Sequence, residues 1–278
     1  MNILKGADVV AAMNLKMQEE LVKMTRIPRL AIIRVGEKPD DISYERGATR
    51  RMETIGLRCV SYQYPESITD EDFKKEFLAV NNDADIDGIL LLRPLPSHIN
   101  EAGIEKLIDP AKDIDGISPV NMAKIYAGDS TGFAPCTAEA VIEMLDYASV
   151  DLTGKRVAIV GRSLVVGKPL AMLMLGRNAT VTICHTRTVN MPQVCRNAEI
   201  VVAAAGKARM LNGDYVGKDA IVIDVGINMD ENFKLCGDVD IDSIADSALM
   251  ATPVPGGVGT VTTSVLAKHV IRAAGYRL

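Results

Sequence analysis

Residues 155–175 read KRVAIVGRSLVVGKPLAMLML. The stretch opens as a short apolar strand, passes through a glycine turn and continues as a helix. Gly161 closes the strand and Gly167 lies at the start of the helix. Absent side chains let backbone amides come close to a pyrophosphate, and a helix N-terminus favours its negative charge. The spacing is G-x5-G with Ser163 between, rather than G-x-G-x-x-G. By itself that spacing is a weak mark of a nucleotide site. The strand–turn–helix context is what gives it weight.

Outward from this stretch the same rhythm repeats. RLAIIRVG, RCVSYQYP and DGILLLRPLP read as strands before it, and TVTICH, EIVVAAAG and AIVIDVG as strands after it. VVAAMNLKMQEELVKM, SYERGATRRMETIGL, DEDFKKEFLAVNND, AEAVIEMLDYAS and TTSVLAKHVIRAAGYRL read as helices, the second of them ending at Gly56. Alternating strands and helices predict an α/β fold with a mostly parallel sheet. A loop-rich region from Asp109 to Ala140 breaks the rhythm, so a boundary is expected near residues 116–120.

The strand TVTICH narrows the cofactor. An NAD site commonly ends this strand with an acid that binds the ribose 2′-hydroxyl. Here the end is Cys184-His185-Thr186-Arg187-Thr188, with no acid. Arg187, with Arg162 at the glycine turn and a hydroxyl nearby, suits a 2′-phosphate, which guanidinium grips in a bidentate fork. NADP is the expected cofactor. The other reading of Arg162 and Arg187 is two solvated loop charges, and Thr186 would serve either nucleotide.

Composition sets the bounds. The 278 residues are 48% hydrophobic and 24% charged, ordinary for a soluble globular protein. Tryptophan is absent and the net charge is −5, which argues against a nucleic-acid partner. Cys59, Cys136, Cys184, Cys195 and Cys236 lack CxxC spacing and read as reduced thiols. His98, His185 and His269 are far apart, so no metal site is assigned. No run resembles a signal peptide or reaches about 20 apolar residues, which predicts a soluble cytoplasmic protein without membrane contact.

Several stretches together resemble one family. They are GRSLVVGKP, CHTRT, AAAGKARM, IVIDVGIN, CGDVD and TPVPGGVG, with KDIDGISPVN and GILLLRPLP nearer the N-terminus. The chain is similar to the methylenetetrahydrofolate dehydrogenase/methenyltetrahydrofolate cyclohydrolase family from about Gly36 to the closing helix. The resemblance implies two domains: residues 1–118 with 263–278 as a folate-binding catalytic domain, and 119–262 as a Rossmann-type NADP-binding domain. It implies a folate cleft between them, a homodimer, and tetrahydrofolate derivatives as substrates. Members oxidise 5,10-methylenetetrahydrofolate with NADP, then hydrolyse the methenyl product to 10-formyltetrahydrofolate.

The resemblance also assigns roles. Asp115, in the K-D-x-D-G motif, would hold the pterin ring, and Tyr44 would stack on the aminobenzoate ring. Without the family, Asp115 reads as a turn aspartate and Tyr44 as core. Pro253, Val254, Pro255, Gly256 and Gly257 would shape the substrate pocket. Gly161, Arg162, Ser163, Val166, Gly167 and Pro169 would line the cofactor site, with His185, Thr186, Arg187, Ala205, Gly206 and Ile227.

Two cleft positions depart from the family, and a third, milder departure is the lost proline of its final G-V-G-P-M-T motif, where this chain has Gly259-Thr260-Val261-Thr262. The family's motif Y-x-x-x-K places a lysine where this chain has Ala48, and V-Q-x-P-L-P places a glutamine where it has Leu92. Hydride transfer needs positioning more than acid–base help. Hydrolysis needs an activated water, and positioned acid–base groups typically contribute about 10²–10⁴-fold to such a step. The expectation is therefore a dehydrogenase with weak or lost cyclohydrolase activity. The alternatives are a fully bifunctional enzyme in which another group, such as Arg93 ordering a water, substitutes, and a non-catalytic folate- or NADP-binding protein.

Overall fold

A computed structural model describes residues 1–275. The chain forms two compact units. One comprises Met1–Ala12 and Thr137–Thr262; the other comprises Met13–Cys136 and the chain from Thr263 onward. The sequence expectation divided the chain at 118/119, whereas the units divide at 136/137. Residues 119–136 stay with the preceding unit because Asn121 is bonded into it: its Nδ2 donates to Asp113 Oδ2 at 2.9 Å and to the Pro110 carbonyl at 3.0 Å. The first twelve residues join the other unit because strand β1 (Asn2–Ile3) pairs there with residues 250–251.

Helix α1 (Gly6–Leu21) is followed by β2 (Arg29–Val35), α2 (Pro39–Ile55), β3 (Arg58–Tyr64), α3 (Asp70–Asn82) and β4 (Gly88–Leu91). The three strands β3–β2–β4 form a parallel sheet with β2 central. Helix α2 starts at a proline, whose missing N–H is no loss in a first turn. It ends at Gly56, left-handed at φ 90°, whose amide returns to the carbonyls of Met52 and Glu53. Its buried face is Glu45, Ala48, Met52 and Ile55. Thr69 caps α3 by accepting from the Asp72 amide at 3.1 Å. Phe73 and Phe77, one turn apart, then enter the core with Ala31, Ile33 and Ile89.

Short helix α4 (Glu101–Glu105) precedes the stretch read as loop, and α5 (Pro119–Ala127) lies within it. Helix α6 (Cys136–Tyr147) leads to β5 (Arg156–Val160), α7 (Gly167–Leu175), β6 (Thr180–Cys184), α8 (Met191–Arg196), β7 (Ile200–Ala203) and β8 (Ala220–Asp224). A hairpin of β9 (Asn228–Met229) and β10 (Leu235–Cys236), then β11 (Ala248–Ala251) and α9 (Val258–Gly275), complete the chain. The second sheet runs β1–β11–β8–β7–β5–β6, with every pairing parallel. Its loops at the strand carboxyl ends carry the residues expected to hold the nucleotide, the usual place in such sheets. The closing-helix expectation holds through Gly275; Tyr276–Leu278 lie outside the described residues. Among those described, no helix is long and apolar enough to cross a membrane.

A buried ion pair fixes α2 to its sheet. Arg34 Nε donates to Glu45 Oε2 at 2.7 Å, and Gln63 Nε2 donates to Glu45 Oε1 at 3.1 Å. The two charged side chains are 8% and 11% exposed. Removing one partner of such a pair strands the other charge. Arg34→Leu is expected to lower stability by about 3–5 kcal/mol in chemical denaturation, and the double variant Arg34→Leu/Glu45→Leu to recover most of it. Equal losses in the single and double variants would refute this account.

Candidate active site

At the end of β5 the glycine turn is enforced by backbone crowding. A Cβ on Gly161 would stand 2.1 Å from the Ala204 carbonyl oxygen, and one on Gly167 2.1 Å from the Gly161 carbonyl oxygen. Between them, Ser163 Oγ accepts from the Val166 amide at 3.0 Å, which ties the turn. Helix α7 begins after Val166 with no side-chain cap; the Lys168 amide donates to the Ser163 carbonyl at 3.1 Å and Pro169 has no N–H, so the Gly167 amide and the positive end of the helix dipole are what the first turn offers an anion. Pro169 sits half-buried in its first turn. Arg162 is exposed, and its guanidinium has no partner among the described residues.

The turn after β6 is self-knotted. His185 N–H donates to Thr188 Oγ1 at 2.8 Å, and the Thr188 amide returns to the His185 carbonyl at 2.8 Å. His185 Nδ1 accepts from the Arg187 amide at 3.1 Å, so that nitrogen serves the turn. Thr186 and Arg187 are exposed, and the Arg187 guanidinium likewise has no partner among the described residues. The two arginines are thus available cations rather than halves of ion pairs. Crowded glycines, an uncapped helix start and two unpaired guanidinium groups fit a phosphorylated dinucleotide.

Two buried carboxylates hold the neighbouring loops. Asp238 accepts from the amides of Ala205 at 2.6 Å, Gly206 at 3.0 Å and Lys207 at 2.8 Å, and from Asn228 Nδ2 at 2.9 Å. Asp224 accepts from the amides of Gly226 at 3.0 Å, Asp238 at 3.0 Å and Val239 at 2.9 Å. There is no room for side chains around them: a Cβ on Gly237 would meet Asp224 Oδ2 at 1.9 Å, and one on Gly226 would meet Asp238 Oδ1 at 2.3 Å. The expected cofactor residues Ala205, Gly206 and Ile227 lie on the loops so held. Ile227 also lines a cavity of about 220 Å³ with Pro253, Val254, Pro255, Gly256 and Gly257. The aspartates were missed in sequence although both lie in the quoted stretches IVIDVGIN and CGDVD. Nothing in one sequence tells a buried amide-binding carboxylate from a surface one.

In the other unit, most of the KDIDG motif builds its own loop. Lys112 is buried, and its ammonium donates to the carbonyls of Asn81 at 2.7 Å and Asp83 at 2.6 Å. Asp113 accepts from the amides of Ile117 at 2.9 Å and Ser118 at 2.8 Å. Buried His269 stands 2.7 Å from the Ile114 carbonyl, and a Cβ on Gly116 would be 2.4 Å from the Phe133 carbonyl oxygen. Asp115 is left half-buried, with Oδ1 accepting from the Cys136 amide at 2.9 Å. Burial raises its pKa, partly offset by that amide and by the Arg93 charge. Burial, and then the Asp115 charge, push the Tyr44 phenol well above its usual value. The Tyr44 phenol thus lies within electrostatic reach of Asp115.

Ala48 is fully buried on the inner face of α2, and Leu92, just past β4, is 7% exposed. Arg93 is already engaged: it lies 2.7 Å from Glu105 and 3.8 Å from Glu101. That ion pair counts against Arg93 as a free water-ordering group.

The unit carrying the parallel six-stranded sheet thus has the features of a dinucleotide-binding protein. Residues 135–278 match the tetrahydrofolate dehydrogenase/cyclohydrolase NAD(P)-binding domain, and residues 4–115 match the catalytic domain of the same family. A bifunctional protein FolD of Clostridium kluyveri is 47% identical, over 99% of this chain and 98% of its own. The crystal structure of the bifunctional FolD dehydrogenase/cyclohydrolase of Campylobacter jejuni aligns at a TM-score of 0.96 and 34% identity, covering 100% of both chains. That of Trypanosoma brucei methylenetetrahydrofolate dehydrogenase-cyclohydrolase, complexed with NADP cofactor and inhibitor, aligns at 0.92 and 32% identity, covering 99% of this chain and 97% of its own. The chain belongs to the tetrahydrofolate dehydrogenase/cyclohydrolase family.

Asp224 gives a pH signature. Burial outweighs its three amide bonds, the Asp238 charge adds to it, and its pKa rises from 3.8 to about 6. A carboxyl raised in the folded state is most favourable when protonated. Its contribution is therefore present below about pH 4, the unfolded value, and is lost as pH rises through about 6. The stability of the wild type relative to Asp224→Asn is expected to fall between pH 4 and 7 in thermal denaturation. A constant difference across that range would contradict the shift.

Proposed function

We propose that this chain oxidises 5,10-methylenetetrahydrofolate to 5,10-methenyltetrahydrofolate with NADP, and hydrolyses the product to 10-formyltetrahydrofolate. The observation that carries the first step is one chain holding both a crowded glycine turn flanked by two unpaired guanidinium groups and, in its other unit, Tyr44 within electrostatic reach of Asp115. Support for the second step comes from near full-length similarity to proteins described as bifunctional. The family's homodimer and its place in cytoplasmic one-carbon metabolism are carried over as part of this proposal.

The division of labour follows from the groups present. NADP, when bound, accepts a hydride. Arg162 and Arg187 would bind its 2′-phosphate, and the α7 N-terminus its pyrophosphate. Asp115 would accept from the N–H donors on the pterin edge while the Tyr44 ring stacks on the aminobenzoate ring. The one-carbon unit lies between two nitrogens that stabilise the cation left by hydride loss, so these residues need only bind and orient.

A second reading, a dehydrogenase with weak or lost cyclohydrolase activity, is favoured by Ala48 and Leu92. Neither side chain can move a proton, and the nearby Arg93 guanidinium stays protonated and cannot act as a base. Both activities measured on one purified sample decide between the two. Decay of methenyltetrahydrofolate well above the spontaneous rate supports the two-step enzyme. Decay at the spontaneous rate, with hydride transfer intact, supports the second reading, in which Ala48→Lys/Leu92→Gln is expected to raise hydrolysis. If hydride transfer to NADP is absent as well, a non-catalytic binding protein is the answer.

Cofactor choice has its own test. Arg162→Ala and Arg187→Ala are each expected to weaken NADP roughly tenfold, the worth of a charge-assisted hydrogen bond, with NAD changed less than about twofold. Equal losses for both nucleotides would remove the 2′-phosphate assignment.

A further inference from the structure

A second binding site lies at the opposite end of the same sheet. The nucleotide-side loops leave the carboxyl ends of β5, β6, β7 and β8. A cavity of about 730 Å³ instead borders the amino ends of β5, β7, β8 and β11. Its size is that of a small-molecule site.

Its lining is basic in an acidic protein. Lys155, Arg156, Arg196 and Lys218 face it, against two carboxylates, Glu199 and Asp219. The chain as a whole carries a net charge of −5. A concave surface of one dominant sign concentrates ions of the other. Glu199 is already shared between Lys155 at 2.9 Å and Arg156 at 3.7 Å. Arg196 and Lys218 have no side-chain partner among the described residues.

The walls are built rather than incidental. A Cβ on Gly217 would stand 2.4 Å from the Arg196 carbonyl oxygen, so the loop bearing Lys218 is pressed against the end of α8 that bears Arg196. That packing holds the two unpaired cations on neighbouring backbone. Val150, Ile221 and Leu249 add an apolar lining, and Leu249 remains 49% exposed. Unpaired cations beside apolar surface suit an organic molecule rather than a bare ion.

We propose that this cavity binds a small organic polyanion, carrying phosphate or clustered carboxylates, at a site separate from the nucleotide site. Arg196 and Lys218 supply the anion contacts, and the apolar lining covers the carbon skeleton.

The test is calorimetric titration of the full chain presaturated with NADP, which fills the anion sites at the strand carboxyl ends. AMP serves as the phosphate probe and citrate as the carboxylate probe. At least one probe is expected to bind at a single site. Arg196→Ala and Lys218→Ala are each expected to weaken it roughly tenfold. Arg196→Lys should stay closer to wild type. Hydride transfer without probe should remain within about twofold in all variants, which separates a lost site from a damaged fold. The probe that binds identifies the source of the charge. No saturable binding by either probe, or binding unchanged in both alanine variants, would overturn the proposal. So would a change of oligomeric mass in the variants without probe binding, which would give this face to a second copy.

Discussion

Two carboxylates without solvent carry the nucleotide-binding unit. Asp224 and Asp238 are 4% and 0% exposed, and burying a charge is costly unless hydrogen bonds replace the lost water. Here the replacement is backbone: six amides from three separate segments converge on the pair. Each loop at the carboxyl edge of β7 and β8 is thereby tied to the others rather than to its own strand alone. The cofactor loops have their shape because the aspartates must be satisfied, and Gly226 and Gly237 are glycines because nothing else fits beside them.

The parallel sheet turns that local requirement into a directional molecule. Every strand points the same way, so one edge collects the glycine turn, the knotted HTRT turn and the aspartate-held loops. The other edge collects strand starts and the basic residues around them. In the companion unit, α2 brings Tyr44 on a helix locked by the Arg34–Glu45 pair, and the KDIDG loop brings Asp115. Site residues in both units therefore stand on segments whose conformation is over-determined by buried polar contacts.

The alternation of elements was legible because apolar runs and glycine turns are local properties. The short strands β1 and β11 were not: β1 has two residues, and ALMA in β11 has no β-branched residue, unlike the equally short β4 and β7. Helix α5 hid in a stretch dense in Asp, Gly and Pro, and α4 has only five residues, although Asn100 and Ser118 are ordinary caps in retrospect. The unit boundary was misplaced because Asn121 reaches back to Asp113, a contact without a sequence pattern. At the site, Tyr44, Asp115 and the glycine turn were named from their motifs. The roles of Asp224, Asp238 and Thr188 were invisible because they satisfy backbone groups, which every residue has.

The KDIDG loop also bears on how far a signature can be trusted. Lys112, Asp113 and Gly116 are committed to carbonyls, amides and close backbone packing, and the Ile114 carbonyl is bonded to His269. Only Asp115 has a side chain left over for a ligand. Selection for a folded loop alone would therefore keep three of the five letters intact. The parts of such a sequence most easily read as belonging to a lineage report on architecture. A change at a quieter position, such as the alanine on the inner face of α2, leaves that signature untouched.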